Sequence, residues 1–214
     1  MTQLIINEIF YSIQGESSFA GRPCVFVRLT QCNLRCSWCD TGYAFDAGIP
    51  MGIDDIVRRV REYQCPLVEV TGGEPLMQDD VHELMRVLCD EGCELLLETG
   101  GSLDISAVDQ RVRRIVDFKC PGSGMVKKNL WSNVGALRPS DEVKFVIGSR
   151  EDFEWAVDRM EEHSLRDRCP VLFSVVFGSL EPVVLAEWIL ERKLGVRFQL
   201  QMHKYIWAPE TRGV

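Results

Sequence analysis

The stretch CNLRCSWCDT, residues 32–41, decides how the rest of the chain is read. Cys32, Cys36 and Cys39 follow a C-x3-C-x2-C spacing, separated by the polar residues Asn33, Arg35, Ser37 and, after them, Asp40. A segment this polar does not belong in an apolar core, so the three thiols point to a metal centre. Tetrahedral zinc needs a fourth ligand, which His203 would have to bring from far along the chain. An iron–sulfur cube takes one ligand per iron, so three cysteines leave one iron open to a small molecule. The other six cysteines, Cys24, Cys65, Cys89, Cys93, Cys120 and Cys169, lie among apolar residues and read as small buried hydrophobes.

Outward from this loop the chain alternates two periodicities. Strand-like runs occur at 24–29, 67–71, 94–99, 114–119, 142–147, 171–177 and 197–202, β-branched or nearly continuously apolar. Helical spacing joins Ile53, Ile56, Val57 and Val60, then Val81, Leu84, Met85 and Leu88, then Phe153, Ala156, Val157 and Met160. Gly92 stands where a left-handed helix cap belongs, and Pro182 starts a fourth helix. SLDISAVDQ (102–110) and NLWSNVGAL (129–137) are weaker helix candidates. Strand and helix in alternation predict an α/β fold with a parallel sheet, and seven strands, too few for a complete eight-fold barrel, predict an open curved sheet or a partial barrel. Ligand chemistry then collects at the C-terminal strand ends. The cysteine loop, TGGEP (71–75), ETGG (98–101), KCPGSG (119–124) and QMHK (201–204) all fall there.

Bulk properties narrow the function. The 214 residues suit one domain, and the net charge of −8 argues against a nucleic-acid partner. Apolar runs such as VLFSVVFG are too short for a membrane span, and the N-terminus has no signal-peptide pattern, so a cytoplasmic protein with reduced thiols is expected.

The cysteine spacing at the end of the first parallel strand resembles the radical S-adenosylmethionine enzymes. NEIFYSIQGESSFAGRPCVFVRLTQCNLRCSWCDT (7–41) and the ending RFQLQMHKYIWAPETRGV (197–214) are similar, more narrowly, to the 7-carboxy-7-deazaguanine synthases. The resemblance implies a radical-type partial (β/α) barrel reduced in helices, one core domain over residues 1–214 with an N-terminal substrate extension and a C-terminal closing segment. It implies conversion of 6-carboxy-5,6,7,8-tetrahydropterin to 7-carboxy-7-deazaguanine and ammonia in queuosine and deazapurine biosynthesis. The cofactors implied are a 4Fe–4S cluster, S-adenosylmethionine and Mg2+. A flavodoxin or ferredoxin would donate electrons, and a homodimer is expected.

Residue by residue, the resemblance gives the cluster to Cys32, Cys36 and Cys39, and magnesium to Thr41. S-adenosylmethionine would meet Trp38, Cys39, Asp40, Gly72, Gly73, Glu74, Glu98, Thr99, Ser123 and Gln201. The pterin would meet Ile13, Gln14, Gly15, Glu16, Arg28, Thr71, His203 and Val214. The side-chain chemistry agrees: Arg28 suits a carboxylate, and the Gln14 amide both donates and accepts. Blander readings stand beside these: a surface ion pair for Arg28, a hairpin turn for SIQGES, a strand-to-helix turn for GGEP, a cap hydroxyl for Thr41, a structural His203. QMHKYIW departs from the QPMD-like ending of some relatives, which leaves cofactor contacts there open. Glycyl-radical-enzyme activases share part of the opening and are the rival inside the superfamily. A zinc-stabilised, non-catalytic binding module is the alternative outside it.

Overall fold

The computed structural model describes residues 3–214. Its strands are β1 (Gln3–Ile13), β2 (Pro23–Leu29), β3 (Ile49–Gly52), β4 (Leu67–Gly72), β5 (Glu94–Thr99), β6 (Arg113–Asp117), β7 (Glu142–Ile147), β8 (Val171–Val175) and β9 (Arg197–Gln199). They form one open sheet in the order β3-β1-β2-β4-β5-β6-β7-β8-β9. The seven strands expected from the sequence, β2 and β4 to β9, are the parallel ones. Two antiparallel strands, β1 and β3, extend the sheet beyond β2, and the sequence reading had not assigned them.

The helices are α1 (Ile53–Glu62), α2 (Val81–Asp90), α3 (Arg150–Glu162), α4 (Pro182–Glu191) and a short α5 (His203–Ile206). The apolar stripes expected of α1, α2 and α3 are the faces they bury. Gly92 has φ +83° after α2, the left-handed geometry that glycine adopts without a Cβ penalty. The two weaker helix candidates do not form α-helices. In 102–110, Asp104 accepts from the Ser106 N–H and hydroxyl, and Asp109 accepts from the Arg111 N–H. Such local side-chain bonds satisfy the backbone in turns and compete with a helix. Residues Trp131–Ala136 make a 3-10 helix. The β5–β6 and β6–β7 connections therefore carry no α-helix, and the barrel is reduced on that side.

Side chains alternate between the two faces of each strand. One face packs under the helices in a core that includes Val68, Val70, Leu95, Leu97, Val143 and Phe145. The other face is layered along the strands. Cys24, Phe26, Leu67, Leu96 and Ile115 close its lower end, joined by Phe19 from the long β1–β2 loop. Two positions further along β4, β5 and β6 stand Glu69, Glu98 and Asp117, with Lys144 on β7. Strands that read as nearly uniform apolar runs thus carry charges on the inner face, Glu69, Asp117, Glu142 and Lys144 buried and Glu98 half-buried. Elsewhere the Arg114 guanidinium, on β6, bonds the fully buried Asp141 ahead of β7. No helix among the described residues is long and apolar enough to cross a membrane.

Candidate active site

The open end of the half-barrel encloses a cavity of about 800 Å3. The β1–β2 loop crosses its inner face and is tied to strand after strand. Gln14 Nε2 donates to Glu69 on β4, Lys144 on β7 donates to Glu16 at 2.8 Å, and the Ser18 N–H donates to Glu142 on β7 at 3.1 Å. From the other side the chain end folds back. The Met202 N–H donates to the Gly15 carbonyl at 3.0 Å, and residues 209–214 line the cavity. A Cβ on Gly15 would stand 2.3 Å from His203 Nδ1, so only glycine admits this contact. Arg212 lies over the Tyr43 ring at 3.9 Å, and Lys204 donates to Asp40 at 2.6 Å.

Lys144 is the central charge. Its ammonium bonds Glu16 and Glu98 and lies 3.7 Å from Asp117, which in turn accepts from Lys119 at 2.8 Å. Burial pushes the Glu16 carboxyl up, but Lys144, helped by His203 and Gln201, brings it down to about 2. Burial likewise depresses Lys144, and its three carboxylates reverse this, holding it well above the ordinary lysine value. Glu69 lacks such a partner: burial, then Glu98 and Glu16, push its carboxyl well up against the weaker pull of Lys144 and Arg28. Burial lowers His203, with Glu16 opposing.

Arg28 is oriented by Glu8, which accepts from its Nε and from the Tyr43 hydroxyl at 2.8 and 2.9 Å. The two terminal nitrogens of its guanidinium have no hydrogen-bond partner among the described residues, and Arg28 lines the cavity. Cys32, Cys36 and Cys39 line one wall, and among the described residues no other cysteine does. Burial pushes the Cys36 thiol up, and the Lys119 ammonium pulls it back toward the thiolate that a metal requires. The Thr41 hydroxyl sits 3.7 Å from the Cys39 sulfur. Among the described residues no three His, Cys, Asp or Glu groups converge on a single ion, and His203 packs on Gly15. Three thiols on the wall of a ligand-sized cavity, beside a buried cation, fit an iron–sulfur cluster with one iron left for a small molecule.

Comparison with known proteins agrees. The radical SAM superfamily model matches residues 27–178. A 7-carboxy-7-deazaguanine synthase from Chlorobaculum tepidum is 50% identical over 214 residues, covering 99% of this chain and 97% of its own. The chain belongs to the 7-carboxy-7-deazaguanine synthase family. A second member, from Koribacter versatilis, is 45% identical over 98% of this chain and 99% of its own. The fold is that of the crystal structure of QueE from Escherichia coli, with a TM-score of 0.79 at 21% identity, covering 95% of this chain and 96% of that one. Membership of this family favours the iron–sulfur reading over zinc.

Most residues singled out in the sequence meet at this synthase-family cavity. Ile13, Gln14, Gly15, Glu16, Arg28, Trp38, Asp40, Thr41, Thr71, Gly72, Gly73, Glu98, Thr99, Gln201, His203 and Val214 line it with the three cysteines. Two of the expected residues do not line it. Glu74 is fully buried off the wall; its carboxylate accepts from the Thr99 hydroxyl and from the Gly100 and Leu76 N–H groups, binding the β4 and β5 loops together. Ser123 is also buried off the wall, its hydroxyl donating to the Cys120 carbonyl while its own carbonyl accepts from the Ser37 N–H. Both support the site from behind. Gln14 reaches the cavity and is held there, one amide N–H donating to Glu69 and its carbonyl accepting from the Glu16 N–H at 2.9 Å, which leaves its second N–H uncommitted. Near the chain end Ile189 lies in the core and Trp188 packs against it, so neither is free for an interface. Sequence reasoning missed Glu69, Asp117, Lys119 and Lys144. The signal was present: a charge inside an otherwise apolar strand is rare unless it is paired or functional.

Proposed function

We propose that this protein is a 7-carboxy-7-deazaguanine synthase that contracts the ring of 6-carboxy-5,6,7,8-tetrahydropterin with loss of ammonia, in deazapurine biosynthesis. The observation that carries the reading is the convergence of the three-cysteine loop, the Arg28 guanidinium and the Glu16–Lys144–Glu98 network on one cavity. Cys32, Cys36 and Cys39 would hold a 4Fe–4S cluster, and Gly72, Gly73, Trp38, Thr99 and Gln201 would flank S-adenosylmethionine. When bound, cluster and cofactor supply one-electron chemistry that removes a hydrogen atom from the substrate.

The chain's own residues bind, orient and enclose. Arg28, already aligned by Glu8, offers its outer nitrogens to the substrate carboxylate. Glu16 accepts from ring amines and is held ionised by Lys144. Thr41 would meet magnesium, which takes hydroxyl, water and substrate oxygens together. His203 and the 209–214 segment close the cavity against water. The single-domain reading over 1–214 is consistent with one continuous sheet, and the chain end acts as a closing segment. Nine cysteines without a disulfide support a reducing, cytoplasmic setting, in which a flavodoxin or ferredoxin would be the donor. Exposed Val183, Leu190, Tyr205 and Ile206 support a homodimer.

The test is anaerobic reconstitution with iron and sulfide, followed by incubation with the pterin, S-adenosylmethionine, reductant and magnesium. The deazaguanine acid is the expected product by mass. Deoxyadenosine without that acid would overturn the substrate assignment, and a glycyl radical raised on a partner protein would favour the activase.

A further inference from the structure

Glu69 stands on the cavity wall with one half of its carboxyl committed and the other half open. Strand pairing puts Phe10, Phe26 and Glu69 side by side on the inner face, and Glu8, Arg28 and Thr71 in the next layer up. The Phe10 and Phe26 rings stack at 4.9 Å and line the cavity. Glu69 is 3% exposed. Its Oε2 accepts from Gln14, whereas Oε1 has no protein partner and is not sealed in the core, so it opens onto the cavity. A buried carboxyl with an unpartnered oxygen is costly unless a ligand supplies the donor. Arg28 stands one inward position further along, roughly 7 Å away for two residues of a strand. A molecule spanning the two positions carries N–H donors at one end, an anion at the other and a flat ring against Phe26.

Resting on the synthase reading above, we propose that Glu69 is a specificity-determining residue. With the ligand's N–H groups supplying the partner that its charge lacks, the carboxyl ionises and its free oxygen accepts a hydrogen bond from the amine-bearing pyrimidine edge of the pterin, while Gln14 fixes the other oxygen. Glu69 thereby selects 2-amino rings over 2-oxo rings. A role confined to anchoring Gln14 makes no such selection.

The test titrates reconstituted holoprotein with two unreactive fluorescent acids, 6-carboxypterin and its 2-oxo counterpart 6-carboxylumazine. The wild type is expected to prefer the pterin by at least about tenfold, since a site built for an N–H rejects a ligand that lacks it. In Glu69→Gln the new carbonyl keeps Gln14 and the amide N–H groups face the cavity, so the preference falls to near unity or reverses. Glu69→Gln with wild-type selectivity would overturn the proposal while leaving the synthase reading intact. A wild type that binds neither acid would overturn both. Thermal melting of Glu69→Gln close to wild type confirms that the change is in recognition and not in folding.

Discussion

Replacing Lys144 with methionine leaves Glu16, Glu98 and Asp117 around one point without their shared cation. Removing one partner of a buried charge cluster costs about 3–5 kcal/mol, and urea unfolding of Lys144→Met should show a loss of that order. Glu16 also predicts an acid response. Its folded pKa lies below its ordinary value, so the stability it contributes is present above roughly pH 4.5 and is lost as pH falls toward about 2. Glu16→Gln should therefore lose less stability than wild type across that window in acid titrations followed by circular dichroism. Glu69 has the opposite sign: its raised pKa makes ionisation unfavourable in the fold, so its effect grows as pH rises. At this scale the sequence showed the cysteines and Arg28 directly, because their types and spacing are their chemistry. It did not show which carboxylate meets which ammonium, since Glu16 and Lys144 are joined only by strand register and the path of the β1–β2 loop.

Between elements, the approach of two strand ends holds the cysteine loop in place. A Cβ on Gly73, after β4, would stand 2.0 Å from the Gln31 carbonyl oxygen at the start of the loop that follows β2. Gly73→Ala must push that backbone away, and Cys32 follows Gln31 directly. Reconstituted Gly73→Ala is expected to hold clearly less iron than wild type by colorimetric assay. Gly92→Ala is the control: nothing lies within 4 Å of its Cβ, so only the positive φ is penalised, by about 1 kcal/mol, with iron content unchanged. The parallel strands and the first four helices were legible because periodicity is local. The β1 and β3 edge was not, because QLIINEIFYSI mixes buried and exposed positions irregularly along a bulged pairing. The 102–110 segment misled for a related reason, its aspartates favouring turns over the helix that its spacing allows.

At the scale of the whole molecule, an open sheet leaves its inner face to be covered by the β1–β2 loop and the C-terminal segment. The β1–β2 loop covers it from one side and residues 203–214 from the other, and both segments line the cavity. A chain ending at Trp207 retains the whole sheet and should melt within a few degrees of wild type, yet bind 6-carboxypterin about tenfold or more weakly, because the closing segment excludes water without supporting the core. The convergence of motifs at the strand ends was foreseeable from topology. The depth of the charged network behind them was not, because a buried charge can be read only against its partners.

The proposed function requires that three thiols be the complete protein set, with one iron left open. The direct measurement is electron paramagnetic resonance of the reduced, reconstituted protein with and without S-adenosylmethionine, alongside metal analysis. The account predicts about four irons per chain, as in one cubane cluster, and a signal whose shape changes when S-adenosylmethionine is added. Zinc in place of iron, or a cluster signal indifferent to S-adenosylmethionine, would contradict it.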